Sequence, residues 1–291
     1  MFEGFKLNFI DVGPGKLRVR YGGAGRPLLL LHGHPRTHMT WGQVADILAT
    51  QFTVVCPDLR GFGQSFQPKD AEGNVNSSKR EKANDCVALM RYLGHSRFSV
   101  VGHDRGSYVA FRLAVDHPDA VEKAVVIDSV PIIEHLERTD WQFARDWYHW
   151  FFFAQSEKPE RAINADPLAW YDKLSPSLMG QDAYQDVIAA VSDPSVVHGM
   201  IEDYRAGLTV DRRDEMETRA SGQKILCPLL CLWSKKDDLI ETVGDPLQIW
   251  KRWATDVHGF GIDSGHHVAE ENPNDLAAAL SRFLGSSKIM C

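Results

Sequence analysis

A chain of 291 residues, 44% of them hydrophobic, can bury a large core as one α/β domain or one domain carrying an insertion. Its 32 basic and 39 acidic residues give a formal charge of −7 without any basic block, which argues against nucleic acid as a partner. Five cysteines (Cys56, Cys86, Cys227, Cys231, Cys291) without Cys-x-x-Cys spacing fit a reducing compartment better than a disulfide scaffold or a zinc site. Neither a signal-peptide pattern near Met1 nor a membrane-length apolar run is present, so a cytoplasmic protein with no membrane contact is expected.

Residues 5–21 alternate and turn at Gly13-Pro14-Gly15, a hairpin pattern, and residues 22–27 (Gly-Gly-Ala-Gly-Arg-Pro) read as a loop. The continuous apolar run Leu28–Leu31 suits a parallel strand covered on both faces, and it empties into His32-Gly33-His34-Pro35. A helix over 41–49, a strand over 53–56, an irregular polar stretch over 67–77 and a helix over 78–93 follow. Phe98-Ser-Val-Val101 is a buried strand; Gly102-His-Asp104-Arg-Gly106 turns it into a helix that His117-Pro-Asp stops. Val121–Ile127 is another buried strand, ending at Asp128. Strands alternating with helices in this way indicate a doubly wound, mostly parallel sheet.

From Pro131 to Ser221 strand-like runs vanish and aromatics crowd in, which reads as a helical insertion. The sheet resumes at Leu229–Trp233, followed by Asp237-Asp238, a helix over 246–253, a short strand near Val257, Gly265-His266-His267, and a last helix over 273–283. The expected division is a core of 1–130 and 222–291 with a helical cap of 131–221.

The tight turn places Asp104 where such elbows carry a nucleophile. A carboxylate with an ordinary pKa of ~3.9 needs no deprotonation at neutral pH. It can displace a leaving group from saturated carbon and form an ester whose carbonyl activated water then attacks. Serine at this place would leave an inert ether, so aspartate favours displacement of halide or opening of an epoxide over ester hydrolysis. His266 is the base expected for the second step. Arg105, next to the nucleophile, is expected to hold a substrate carboxylate by a two-pronged contact, with a plain ion pair on the elbow helix as the alternative.

The elbow, His32-Gly33-His34-Pro35, Asp58-Leu-Arg-Gly-Phe-Gly-Gln-Ser65 and Gly265-His266 together resemble the α/β-hydrolase superfamily over essentially the whole chain. Gly102-His-Asp-Arg-Gly106, Tyr148-His149-Trp150 and Asp203-Tyr204-Arg-Ala-Gly207 are most similar to fluoroacetate and haloacetate dehalogenases, relatives of the epoxide hydrolases. The resemblance implies an α/β-hydrolase fold with the cap after the strand ending at Asp128, no cofactor or metal, and a homodimer. It implies Asp128 as the acid orienting His266, which is the expectation here, whereas most of the superfamily carries that acid at the place of Asp237, the alternative; either also fits a turn residue. It implies backbone N–H donors from His34 and Arg105 for the oxyanion, and a halide cradle of His149, Trp150 and Tyr204. Arg36 and His38 are read as joining His34 in a polar cluster near the pocket. Trp141, Phe143, Phe151, Phe152 and Phe153 are read as the cap's apolar underside. The family's second carboxylate-binding arginine falls on Tyr108, a departure that leaves the acid substrate less firmly held. The activity implied is hydrolytic release of halide from a short 2-haloacid. The rivals are an epoxide hydrolase with the same machinery and a non-catalytic relative that binds a small acid.

Overall fold

The computed structural model describes residues 1–286, so Cys291 lies outside the described residues. Eight strands form one sheet: β1 (Lys6–Asp11), β2 (Lys16–Gly23), β3 (Arg26–Leu31), β4 (Phe52–Pro57), β5 (Phe98–His103), β6 (Val121–Ile127), β7 (Leu229–Ser234) and β8 (Val257–Ile262). Their spatial order is β1-β2-β4-β3-β5-β6-β7-β8. β1 and β2 are the expected hairpin, β2 is antiparallel to β4, and the pairings from β4 to β8 are parallel. The central strands are covered on both faces: every residue of β5 is buried, as is Leu28–Leu31 of β3. That is why they read as unbroken apolar runs rather than alternating ones.

Two strands, β2 and β8, run through glycines. The loop expected over 22–27 shrinks to Ala24-Gly25, since Gly22 and Gly23 extend β2 opposite Val54 and Thr53. A Cβ on Gly23 would come within 2.3 Å of the Phe52 carbonyl oxygen, so the approach of the two strands requires its absence. β8 contains Gly259 and Gly261, which lie under the Cys231 carbonyl and the Trp233 ring. Glycine masks a strand in the sequence where it permits one in space.

From β3 to β4 the chain steps one way along the sheet, and from β4 to β5 it steps back across β3. Right-handed crossovers then put the helices Gly42–Leu48 and Lys79–Tyr92 on opposite faces. The reversal opens a crevice beyond the carboxyl ends of β3 and β5, where ligands of such sheets bind. Between β6 and β7 the described chain is helical, from Ile132–Leu136 to Val210–Ser221, with Pro194–Leu208 the longest member. Phe143 and Phe153 are buried in this stretch, but Trp141 is 69% exposed and lies under the Arg145 guanidinium, so it is not part of an apolar underside. No described helix is long and apolar enough to cross a membrane. Cys56, Cys86, Cys227 and Cys231 are free thiols.

Candidate active site

The elbow between β5 and the helix Arg105–Asp116 forces Asp104 to φ 51° and ψ −121°, a conformation that costs a non-glycine residue about 1–3 kcal/mol. The flanking glycines are dictated by space. A Cβ on Gly102 would meet the Gly106 carbonyl at 2.2 Å, and one on Gly106 would meet that of Leu31 at 2.3 Å. Ser107 Oγ donates to the Gly102 carbonyl at 2.7 Å and fastens the turn. Gly33, in the loop after β3, is as constrained: its Cβ would lie 2.2 Å from Asp104 Oδ1.

Asp104 Oδ1 accepts the His34 backbone N–H at 2.7 Å, and the Arg105 backbone N–H also donates to the carboxylate. The His34 N–H, one of the two donors expected for an oxyanion, therefore already holds Oδ1 in place, with the second on the same carboxylate. Oδ2 faces His266, whose Nε2 is 4.0 Å away. Burial alone would raise the Asp104 pKa, but His266, His103 and Arg105 outweigh it and hold the carboxyl below its usual range. The His34-Pro35 peptide is cis.

His266 stands after β8 with its Nδ1 2.7 Å from Asp128 Oδ2 and 2.9 Å from Asp237 Oδ2. Sequence reasoning set these aspartates against each other, and the fold brings both to one nitrogen because they follow adjacent strands. Asp128 is further fixed by the Ser234 N–H at 3.1 Å. Burial pushes Asp128 up to about 6, helped by Asp237. Asp237 also feels burial, but its hydrogen bond to His266 prevails and lowers it. His266 is lowered by burial, yet its bonds to both aspartates hold it well above its ordinary value. His103, which no sequence signal singled out, donates Nε2–H to the His266 carbonyl at 2.7 Å.

The helical stretch brings its predicted residues over this centre. Tyr204, on Pro194–Leu208, packs edge-on against His34 at 5.2 Å and His149 at 5.6 Å, with Trp150 at 6.2 Å. Phe153 and Tyr171 join them, the Tyr171 hydroxyl lying 3.2 Å from His34 Nε2. Tyr171 was one aromatic among many in the sequence; only the fold puts it in the site. Burial lowers His34 to about 3 and His149 to about 4, so both are neutral imidazoles.

Arg105 is buried and bound to Asp203: Nε donates to Oδ2 at 2.5 Å and Nη2 to the Asp203 carbonyl at 2.9 Å. Its guanidinium also lies 4.0 Å over the Tyr204 ring and 5.2 Å over that of Tyr108. The two-pronged fork expected for a substrate is thus spent within the protein, leaving Nη1 as the nitrogen without a partner among the described residues. Lys79 and Lys82 each approach the other Asp203 oxygen at 2.9 Å, and Lys79 also pairs with Asp211 at 3.1 Å. Arg36 and His38 do not join His34: Arg36 is clamped on Glu270 and His38 on Asp58, because each is buried and needs a polar partner.

Three groups among the described residues have ligand atoms close enough for a metal ion; one is Asp70 with His198 and Glu202, and the other two are Asp128 with Asp237 and His266, and His103 with His266 and His267. The latter two would engage His266, and the Asp128 group would require the nitrogen that it already shares between two carboxylates.

A model of the alpha/beta hydrolase fold matches residues 26–273. A fluoroacetate dehalogenase from Burkholderia sp. is 36% identical over 99% of this chain and 96% of its own. A soluble epoxide hydrolase from Corynebacterium sp. (strain C12) is 28% identical over 97% and 95%. A solved chain from Nostoc sp. PCC 7120 is 40% identical, covers 98% of this chain and 99% of its own, and superposes with a TM-score of 0.94.

Proposed function

The chain belongs to the alpha/beta hydrolase fold family, and from that premise we propose that it is a hydrolytic dehalogenase releasing halide from a short 2-haloacid. The observation that carries this reading is the ionised Asp104 elbow, with Oδ1 held by the His34 backbone N–H and Oδ2 facing His266. Asp104 Oδ2 attacks the halogen-bearing carbon; a C–O bond forms, and the C–X bond breaks with its electron pair leaving on the halide. His149, Trp150 and Tyr204 surround that halide with N–H and O–H donors, stronger partners for an anion than for the bound halogen. Water then attacks the ester carbonyl carbon while His266 Nε2 takes its proton. Negative charge collects on Oδ1, already held by the His34 N–H, with the Arg105 N–H as the second donor to the carboxyl; losing one such donor typically costs about 2.7–4 kcal/mol. Collapse of the adduct returns the Asp104 carboxylate and gives the 2-hydroxyacid, halide and a proton.

One feature favours a second reading. Tyr171 and Tyr204 both stand beside His34, and two tyrosine hydroxyls are what an epoxide oxygen needs when it opens. The similarity to a soluble epoxide hydrolase points the same way. The protein is to be incubated with fluoroacetate, chloroacetate and styrene oxide while halide and diol are measured. Halide alone is expected. Diol without halide would establish the epoxide hydrolase, and neither product the silent acid-binding relative.

A further inference from the structure

The donors that would surround the halide stand on slight supports. His149 and Trp150 belong to the four-residue helix His149–Phe152, and the helix before it, Trp141–Asp146, has six residues. Helices this short do not persist by themselves in water, so contacts with the rest of the chain must fix them. Phe143, Trp150 and Phe153 are the buried residues of the stretch 141–153, while Tyr148 is exposed. Burial of rings is a non-directional force, and it leaves the exact resting place of a segment less defined than a hydrogen bond does.

One polar bond supplies that direction. Trp147, in the link between the two helices, donates its indole N–H to Asp238 Oδ2 at 2.9 Å. Among the described residues, the other hydrogen bonds of 141–153 stay within 140–155. The Trp147 ring stacks on His149, 6.4 Å away at 24°, and lies 5.9 Å from Trp150. Asp238 adjoins Asp237, whose carboxylate is bonded to His266. Its own carbonyl accepts the Thr242 N–H at 3.0 Å and the Thr242 hydroxyl at 3.1 Å, which anchors it to the following helix, Leu239–Val243. The bond thus joins the segment over the nucleophile to the one that orients the base.

We propose that Trp147 and Asp238 are positioning residues for the halide, their bond setting where His149 and Trp150 meet the departing ion. The inference rests on the dehalogenase reading above and adds to it the link that holds its halide donors in place. Fluoride depends on such donors more than chloride, because it leaves carbon less readily and accepts stronger hydrogen bonds once free. A cradle that drifts therefore slows fluoroacetate more than chloroacetate, whereas a plain loss of stability slows both alike.

The test compares kcat/KM for the two acids, a quantity that covers the steps up to breaking of the carbon–halogen bond. Trp147→Phe, which keeps an aromatic ring and loses the N–H, is expected to lower the fluoroacetate-to-chloroacetate ratio about tenfold, the size of one hydrogen bond to a charged group. Asp238→Ala should lower it as much, and the two together no further, since they break the same bond. Asp238→Asn, which keeps an acceptor oxygen, should stay within about threefold of the unaltered ratio. An unchanged ratio in Trp147→Phe, or losses that add in the pair, overturns the proposal. Should Trp147→Phe fail to fold, Asp238→Ala set against Asp238→Asn decides, and equal ratios in those two overturn it. Where the unaltered protein releases no fluoride, amide hydrogen exchange of residues 148–153 decides instead: it must quicken in Trp147→Phe and not in Asp238→Asn, and equal protection overturns the proposal. Failure of the dehalogenase reading registers separately, as no chloride released by the unaltered protein.

Discussion

Asp128 and Asp237 both accept from His266 Nδ1, at 2.7 and 2.9 Å, from the ends of the neighbouring strands β6 and β7. One N–H faces two carboxyls that also contact each other, so the like charges are relieved by a proton on one of them as pH falls. Burial assigns that proton to Asp128, which titrates near 6, while the less enclosed Asp237 stays ionised.

Either acid alone should orient the histidine. Asp128→Asn and Asp237→Asn are each expected to keep turnover within about tenfold, and the double variant and His266→Asn to lose on the order of 10²–10⁴-fold. Halide release under saturating substrate measures this. A single variant as slow as the double one would leave only one working acid.

The same pair sets the pH dependence. Burial lowers the His266 pKa, but hydrogen bonds to Asp128 and Asp237 outweigh it and hold it above 6.5. The base must be unprotonated, so kcat should rise with pH along a limb above 6.5. Each Asn substitution removes one raising influence and should move that limb to lower pH. A limb that stays put in both variants, or moves upward, contradicts the geometry.

Gly33→Ala should silence the site without unfolding the protein. The new Cβ would fall 2.2 Å from Asp104 Oδ1 and must push the nucleophile aside. A displacement of roughly 1 Å at a reacting group costs about 10²-fold. Comparing kcat with the melting temperature separates this from simple destabilisation; full activity would mean that the loop yields.

Asp203→Asn should destabilise the fold by about 3–5 kcal/mol at neutral pH, because it leaves Arg105, Lys79 and Lys82 buried without their shared anion. Burial raises the Asp203 pKa, but these three cations prevail and hold it well below 3.8. A depressed carboxylate contributes stability above its unfolded value and loses it as pH falls through the folded one. Urea unfolding at pH 7 and about pH 3 should therefore show less acid sensitivity in the variant than in the unaltered protein. Equal stability of the two at pH 7 would mean that the cluster carries little energy.

What could be read from the sequence was local. The elbow is a run of five residues, and its glycines, strand and helix announce Asp104 because backbone sterics act between chain neighbours. The apolar runs of β3, β5 and β6 were legible for the same reason, as was the change to helix after Ile127. The partners of each functional group were not, because they are chosen by contacts between segments far apart in the chain. Sheet register alone brings Asp128 and Asp237 to one histidine nitrogen. Packing of Pro194–Leu208 on the core sets Asp203 against Arg105 and takes the fork that the sequence had reserved for a substrate. Tyr171 carries no signature of its own, and Gly33, although part of a motif, acquires its meaning from the Asp104 oxygen that its missing Cβ would meet. The chemistry of the nucleophile was therefore fixed by five adjacent residues, and the shape and polarity of its pocket by the fold.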